Sequence, residues 1–252
     1  MSRYAPSHSI SYSFGPGPIT FAVKWIIIIN VVVFIATSFV GGAFELFGLT
    51  PALVLERGWL WQLVTYMFLH GGALHLLFNM LGIWMFGVEL ERRWGTKFFL
   101  QYYGVTGIGG GITFLLVSLL PLAATAPAYY TPAVGASGAL FGLLLAYAIY
   151  WPERPILLLL VFVPAKVFVM IYGGLALLNT FQPSRGVADA AHLGGMIFGY
   201  LYLQGGRGGL SAEIKYRYLK WKMNRARRKF DVYSGGRSPD DDRKNDWKKH
   251  IH

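Results

Sequence analysis

The stretch V-G-A-S-G-A-L-F-G-L-L-L-A-Y-A-I-Y-W, from Val134 to Trp151, carries no charged residue and has one serine, Ser137, at the start of its apolar run. Such a run is typical of a membrane-spanning helix. The 15 residues from Ser137 to Trp151 would form a helix of only ~22 Å, whereas the hydrocarbon core of a bilayer is ~30 Å thick. If Trp151 lies at one membrane boundary, Ser137 therefore lies below the opposite surface, in a pocket that water reaches.

The composition of the whole chain also requires a bilayer. Of its 252 residues, 54% are hydrophobic and 14% are charged, and the mean hydropathy is +0.44. A soluble domain of this size does not bury so much apolar surface. Because one span takes roughly 20 apolar residues, the sequence predicts an all-α polytopic membrane protein with six transmembrane helices. The predicted spans are Phe21–Val40, about Leu74–Leu90, about Phe98–Leu120, Ser137–Trp151, about Lys166–Phe181 and Val187–Leu203.

The fifth predicted span begins only after a proline and a lysine. Pro164 removes a backbone hydrogen-bond donor, and Lys166 would be costly in the middle of a membrane. We therefore expect the preceding segment, Pro155–Pro164, to lie at the membrane interface. The first span lies too far from the N-terminus, and lacks the basic leading region, for a cleaved signal peptide. The chain has no cysteine, which excludes a thiol nucleophile, a disulfide and a cysteine metal site.

The distribution of charge predicts the orientation of the helices. Residues 207–249 contain 14 Lys and Arg against 6 Asp and Glu, which is most of the chain's net charge of +11. The positive-inside rule places this basic tail in the cytoplasm and the uncharged loop Pro121–Ala136 on the opposite side. The predicted organisation is a cytoplasmic segment 1–20, a membrane core 21–203 and a basic cytoplasmic tail 204–252. Anionic lipid headgroups are the expected partner of the tail, and nucleic acid is not expected.

Polar residues within the predicted spans are few, and each costs a few kcal/mol unless it is satisfied or functional. His75 and Asn79 are four residues apart on the second span, so they share one helix face. Ser137 begins the fourth span. The sixth span contains Asp189 and His192, and His192 lies at a depth similar to that of Ser137.

Small residues next to Ser137 and His192 allow their two helices to pack closely. We expect this packing to bring Ser137 within hydrogen-bond reach of His192. The small residues are Gly138 and Gly142 on the fourth span, and Gly195 and Gly199 on the sixth.

A serine hydroxyl paired with an imidazole is the general arrangement for nucleophilic acyl transfer. His192 would accept the proton as the Ser137 oxygen attacks, and would return it to the leaving amine. Donors for the developing oxyanion are available from His75, from Asn79 and from the backbone N–H of Ser137. Gly135 would let the backbone approach the scissile bond with no side chain in between.

Each polar residue also has a structural explanation, which the sequence leaves open. Ser137 is an ordinary N-cap type, and His192 and Asn79 could each hydrogen-bond a neighbouring helix. His70 is expected to lie near the headgroups. Asp189 is expected to cap the sixth helix or compensate its dipole, and not to be a third catalytic member. Four polar residues at matching depth on three helices nevertheless favour one joint site.

Two other hydrolase classes fit poorly, and no metal or other cofactor is expected. A zinc protease is disfavoured because no H-E-x-x-H occurs and because His70 and His75 are five residues apart, which puts them off a common helix face. The nucleophile elbow G-x-S-x-G of α/β-hydrolases fails because Ala139 follows Gly138.

Several motifs together resemble the rhomboid family of intramembrane serine proteases over most of the chain. They are G-A-S-G at Gly135–Gly138, H-L-L-F-N at His75–Asn79, A-H-L-G-G-M-I-F-G at Ala191–Gly199, E-R-R at Glu91–Arg93 and W-Q-L-V-T-Y-M-F-L-H at Trp61–His70. The resemblance implies a six-helix bundle with a Ser-His dyad: Ser137 is the nucleophile, His192 is the base, and His75 and Asn79 form the oxyanion hole. Phe141 would stack on His192, and Glu91 and Arg93 would be structural.

The resemblance also implies an interfacial first loop, from Phe44 to Gly72. Within it, Thr50-Pro51 reads as a helix start and Gly58 as the helix end. Many members have Trp-Arg in this loop where the chain has Trp61-Gln62, a departure that bears on packing and not on catalysis. The implied substrates are single-pass membrane proteins cut in or beside their helix.

Two other functions remain open at this stage. A non-catalytic rhomboid-like protein would bind membrane clients without cutting them, although such a protein is marked by loss of Ser137 or His192, and both are present. A small transporter or channel would line a continuous path with polar residues, whereas here they cluster on one side.

Overall fold

The computed structural model describes residues 15–121, 125–158, 161–180, 186–205, 219–223 and 225, and within these ranges the protein is mostly helical. The helices are α1 (Phe21–Phe39), α2 (Ala43–Phe47), α3 (Pro51–Arg57), α4 (Gln62–Thr65), α5 (Ala73–Trp94), α6 (Thr96–Ser118), α7 (Ser137–Tyr150), α8 (Ala165–Asn179) and α9 (Gly186–Gly205). The protein also contains two strands, β1 (Pro155–Leu158) and β2 (Val161–Pro164), and two short 3₁₀ helices, Tyr66–Phe68 and Ala126–Tyr129. Residues 219–223 are helical as well.

Three helices in the described part of the chain, α1, α5 and α6, are long and apolar enough to cross a membrane. The protein is therefore an integral, multi-pass membrane protein. The helices α7 and α8 are apolar but shorter, and α9 has 20 residues. All six coincide with the predicted spans to within a few residues, while the count of six membrane crossings stays a prediction.

The largest difference from the predicted limits is at the end of α5. This helix continues to Trp94, past the predicted end at Leu90, and stops at Gly95, whose φ is +78°. Glu91, in this last part, finds partners at the start of α1: it accepts hydrogen bonds from the N–H groups of Ala22 (2.9 Å) and Val23 (3.1 Å). A carboxylate there satisfies donors that the first turn of a helix leaves unpaired.

The segment between α1 and α5 folds as short helices, and α3 has the predicted limits. Gly58 at its end has φ +70°, a conformation that glycine adopts without strain.

Gln62, in place of the usual arginine, is fully buried and accepts a hydrogen bond from the N–H of Thr50 at 3.0 Å. Its amide also donates to the carbonyl of Glu45 at 2.9 Å. Gln62 therefore ties α2 and the start of α3 to α4.

The segment between α7 and α8 contains β1 and β2, which the sequence did not predict. They pair antiparallel, with Leu157 opposite Phe162 and Ile156 opposite Val163. β-branched and aromatic residues favour strands, but a short apolar run does not by itself distinguish a strand from a buried helix. We refer to β1 and β2 together as the strand pair.

The helix α6 packs against α9 and α7 through glycines. A Cβ on Gly110 would lie 2.7 Å from the carbonyl oxygen of Ala191, and one on Gly109 would lie 2.2 Å from the ring of Phe198. The absence of side chains at these positions lets the α9 backbone come close to α6. This close packing fixes where α9 presents its polar residues.

The chain divides into two compact units, residues 1–208 and 209–252. The predicted segment 1–20 is described only from residue 15. Of the predicted tail, only residues 204–205, 219–223 and 225 are described, and the guanidinium of Arg225 lies 5.3 Å from the Trp221 ring. The predicted end of the fifth span, Phe181, also lies outside the described residues.

Candidate active site

Ser137 is the first residue of α7, and its Oγ lies 2.8 Å from Nε2 of His192 on α9. The two residues are 55 positions apart in the chain. Ala136, and not Ser137, is the N-cap residue of α7, so the N-cap explanation for Ser137 is wrong. Its hydroxyl is thereby free to face the neighbouring helix.

Two glycines bring the backbones of α7 and α9 together beside this contact. A Cβ on Gly195 would lie 1.9 Å from the carbonyl oxygen of Gly138, closer than any side chain fits. Gly142 and Gly199 were also expected to bring α7 and α9 together, but both face α6 instead. Added Cβ atoms there would meet Thr106 and Tyr102 of α6, which packs between α7 and α9 at this level.

The imidazole of His192 is held on two sides. The ring of Phe141, one turn after Ser137, stacks on it with centroids 4.1 Å apart and planes 5° apart. On the other side, Oδ1 of Asp189 lies 3.3 Å from Nδ1 of His192. Because α9 begins at Gly186, Asp189 is its fourth residue and not its N-cap. This contact, a long hydrogen bond within one helix turn, was not expected from the sequence.

His75 and Asn79 lie on the same face of α5, as their spacing predicts. The N–H of Gly71 donates to Nδ1 of His75 at 3.4 Å, which leaves Nε2 as the protonated nitrogen in this tautomer. The side-chain amide of Asn79 donates to the carbonyl of His75 at 2.8 Å. One of its two N–H groups remains for another acceptor.

Gly135 lies between His75 and Ser137. Its φ is +127°, and a Cβ there would lie 2.9 Å from Nε2 of His75 and 3.7 Å from Oγ of Ser137. Glycine therefore leaves a space between the imidazole N–H and the hydroxyl. The N–H of Gly135 donates to the carbonyl of Tyr66 at 2.9 Å, which holds the loop in place.

Two residues near the site were not assigned to it from the sequence. His70, whose expected position near the headgroups stays a prediction, is 1% exposed, and its ring centroid lies 5.0 Å from that of His75. Burial, followed by the effect of His75, lowers the pKa of His70 to about 4. Tyr66 was not singled out, although its hydroxyl donates to the carbonyl of Gly107 at 2.6 Å beneath the loop. Both lie in the stretch Trp61–His70, which was the available signal.

The model of the Rhomboid domain matches residues 57–206, more than half of the chain. The chain belongs to the rhomboid family. The match begins at the end of α3 and includes all of the residues just described.

Three relatives illustrate the range of the rhomboid family. The chain is 32% identical to Rhomboid protease GluP of Bacillus subtilis over 155 residues, 61% of this chain and 27% of that protein. It is 32% identical to Rhomboid protease AarA of Providencia stuartii over 163 residues, 59% of this chain and 56% of that protein. It is 31% identical to RHOMBOID-like protein 12, mitochondrial, of Arabidopsis thaliana over 150 residues, 56% of this chain and 44% of that protein. The chain thus matches about a quarter to a little over half of their lengths.

Proposed function

We propose that this rhomboid-family protein is an intramembrane serine endopeptidase in which Ser137 is the nucleophile and His192 is the general base. The single observation that carries the proposal is the 2.8 Å contact between Ser137 Oγ and His192 Nε2. Protease relatives in the same family support it. The contact is within the distance at which a histidine accepts the proton of an attacking hydroxyl.

The first half of the reaction transfers the acyl part of the substrate to Ser137. The Oγ attacks the scissile carbonyl while Nε2 of His192 takes its proton, and the resulting imidazolium then protonates the leaving amine. Asp189 beside Nδ1 favours the tautomer in which Nε2 is free to accept. Phe141 restricts the ring to the orientation that faces the hydroxyl.

The negative charge on the substrate oxygen needs donors within hydrogen-bond reach. The space beside Gly135 is the proposed position of that oxygen. Nε2–H of His75, the second amide N–H of Asn79 and the backbone N–H of Ser137 would donate to it. The Ser137 N–H is suitable because the first N–H groups of a helix have no partner in the helix. In the second half of the reaction a water, deprotonated by His192, releases the acyl group.

The proposed substrates are single-pass membrane proteins. An intact substrate helix hides its carbonyl groups in hydrogen bonds, so local unwinding must precede attack, and helix-weakening residues favour it. We propose a core at 21–203 with six crossings, both termini in the cytoplasm and the site open to the opposite side. The basic tail 204–252 would contact anionic headgroups.

Cleavage in proteoliposomes tests this function. The substrate is a labelled single-pass protein with glycine and proline in its helix, and the variants are Ser137→Ala and His192→Ala. Ser118→Ala is the matched control, because Ser118 Oγ donates to the local carbonyl of Leu115 at 2.7 Å. We expect cleavage products from the wild type and from Ser118→Ala, and none from Ser137→Ala or His192→Ala. Equal cleavage by Ser137→Ala, or none by the folded wild type, would contradict the proposal.

A further inference from the structure

The strand pair presents an apolar face that nothing in the described protein covers. All ten residues from Pro155 to Pro164 are apolar. Leu157 and Phe162 are cross-strand partners and so lie on one face, with 51% and 69% of their surfaces exposed. Ile156 points to the other face and is 5% exposed, whereas Val161, which alternation puts on that same face farther from the base, is 64% exposed. The strand pair therefore has one face open at Leu157 and Phe162, and its other face is covered at Ile156 but exposed at Val161.

The base of the strand pair lies at the end of the helical bundle away from Ser137. Trp151 directly follows α7, and the guanidinium of Arg154 lies 5.3 Å from its ring. Arg154 also pairs with Glu89, and Lys166 at the start of α8 pairs with Glu153 at 2.5 Å. Tryptophan and paired charges at helix ends are typical of the headgroup level of a membrane.

From this base the chain turns back along α5 and does not continue away from the bundle. Arg93 lies beside Tyr150 at the end of α7, with 4.2 Å between its guanidinium and the ring. Ile156 lines a cavity of about 360 Å³ that also borders α5 from Met85 to Glu89, eight to four residues before Arg93. Four to eight helical residues correspond to about 6–12 Å. Ile156 therefore lies beside the last turns of α5 before Arg93, and not beyond the end of the bundle.

The backbone sets a limit on how deep the strand pair can lie. A two-stranded sheet leaves one row of N–H and C=O groups unpaired on each outer edge, and such edges are not tolerated in the hydrocarbon core. They are tolerated at the boundary between headgroups and acyl chains, where apolar side chains insert ~5–10 Å. The helix α8, which directly follows β2, also exposes apolar side chains, among them Met170 and Ile171.

We propose that the strand pair is a lipid anchor, which folds back into the leaflet opposite Ser137 and inserts Leu157 and Phe162 at the boundary between headgroups and acyl chains. The anchor would hold the junction of α7 and α8 at one membrane boundary. Since α7 has 14 residues, or ~21 Å, fixing its lower end there leaves Ser137 several Å below the other surface. The occupant of the open face is phospholipid, and the anchor does not depend on protease activity.

Spin labelling tests the anchor directly, and the natural chain has no cysteine, so each variant carries one label. The test variant is Phe162→Cys in proteoliposomes, and relaxation is compared for oxygen, which enters lipid, and for a neutral nickel chelate, which stays in water. Val32→Cys, at a 58% exposed position in the middle of α1, is the lipid reference. Glu153→Cys, at the base with 70% of its side chain exposed, is the aqueous reference.

The anchor predicts an oxygen-to-nickel ratio at position 162 that is clearly above that at 153 and approaches that at 32. Leu157→Cys, on the same face, must give the same result, and it replaces Phe162→Cys if that variant does not fold. A ratio equal to that at 153 would overturn the proposal. So would spin–spin coupling between copies that persists on dilution with lipid, because a second chain would then cover the face.

Discussion

The Oγ of Ser137 lies 2.8 Å from Nε2 of His192, although Ser137 is the first residue of α7 and His192 lies within α9. In the described part of the chain, no charged pair joins α7 to α9 at this point. The two helices can approach closely because Gly138 and Gly195 have no side chain. Glycines of α6 also let α9 pack closely against α6. Because the hydroxyl and the imidazole already lie within hydrogen-bond distance, the proposed attack needs no rearrangement of these two side chains.

Removal of the Asn79 amide tests the proposed oxyanion hole. We expect Asn79→Ala to lower kcat by roughly 10²-fold, the usual effect of losing one oxyanion donor. Asn30→Ala is the matched control, because the Asn30 amide makes the same bond to a carbonyl four residues back, at 2.8 Å, far along the chain on α1. A rate for Asn79→Ala within about threefold of that control would remove Asn79 from this role.

Substitution of Gly135 tests whether the space beside His75 is needed. Gly135→Ala places a Cβ at 2.9 Å from Nε2 of His75 and strains a residue with φ +127°. We expect a loss of roughly 10²-fold or more in kcat, since the oxyanion would be displaced. Gly58→Ala is the control for backbone strain alone, because Gly58 has φ +70° and nothing lies within 4 Å of the added Cβ. If both variants lose the same activity, the space at Gly135 has no special role.

Glu91 is expected to stabilise the fold without affecting catalysis. Its carboxylate accepts hydrogen bonds from Ala22 N–H, from Val23 N–H and from the hydroxyls of Thr20 (2.5 Å) and Thr96 (2.7 Å). Glu91→Ala leaves these donors unpaired, so we expect the free energy of unfolding to fall by about 3 kcal/mol. Glu153→Ala, at an exposed ion pair, should change it by less than about 1 kcal/mol. Thermal unfolding in detergent measures both, and equal shifts would contradict the capping role.

Acid is expected to destabilise the protein in part through His70. Its pKa is lowered from 6.5 to about 4, mainly by burial, so between these values the unfolded chain binds more protons than the folded one. The free energy of unfolding therefore falls as the pH drops from 6.5 towards 4. We expect Tm to fall less in His70→Gln than in the wild type between pH 7 and pH 4.5. An equal or larger fall in the variant would show that His70 does not contribute.

Much of the fold could be predicted because helix limits have local causes. The apolar runs set α1, α5 and α6, and Thr50-Pro51 and Gly58 bound α3 as predicted. The strand pair could not be predicted, because an apolar run of ten residues fits a strand, a buried helix or an interfacial segment equally well. The end of α5 was missed for a different reason: three of the partners of Glu91, Thr20, Ala22 and Val23, lie about 70 residues earlier in the chain, where a local pattern does not reveal them.

The site was predictable where spacing along one helix decides the geometry. The positions of His75 and Asn79 on one face, and of Phe141 one turn after Ser137, follow from the helical repeat. The position of His70 does not, because it lies in an irregular segment whose burial depends on the fold around it. Which helix Gly199 faces likewise depends on α6, since small residues permit close packing without choosing the partner.

The most direct test of the central claim is to find where a serine-directed fluorophosphonate attaches to the purified protein. The nucleophile proposed here predicts a covalent adduct on the peptide that contains Ser137, detected by mass spectrometry. It also predicts loss of the adduct in Ser137→Ala and strong reduction in His192→Ala. An adduct on another residue, equal labelling of Ser137→Ala, or no labelling of the folded wild type would contradict the account.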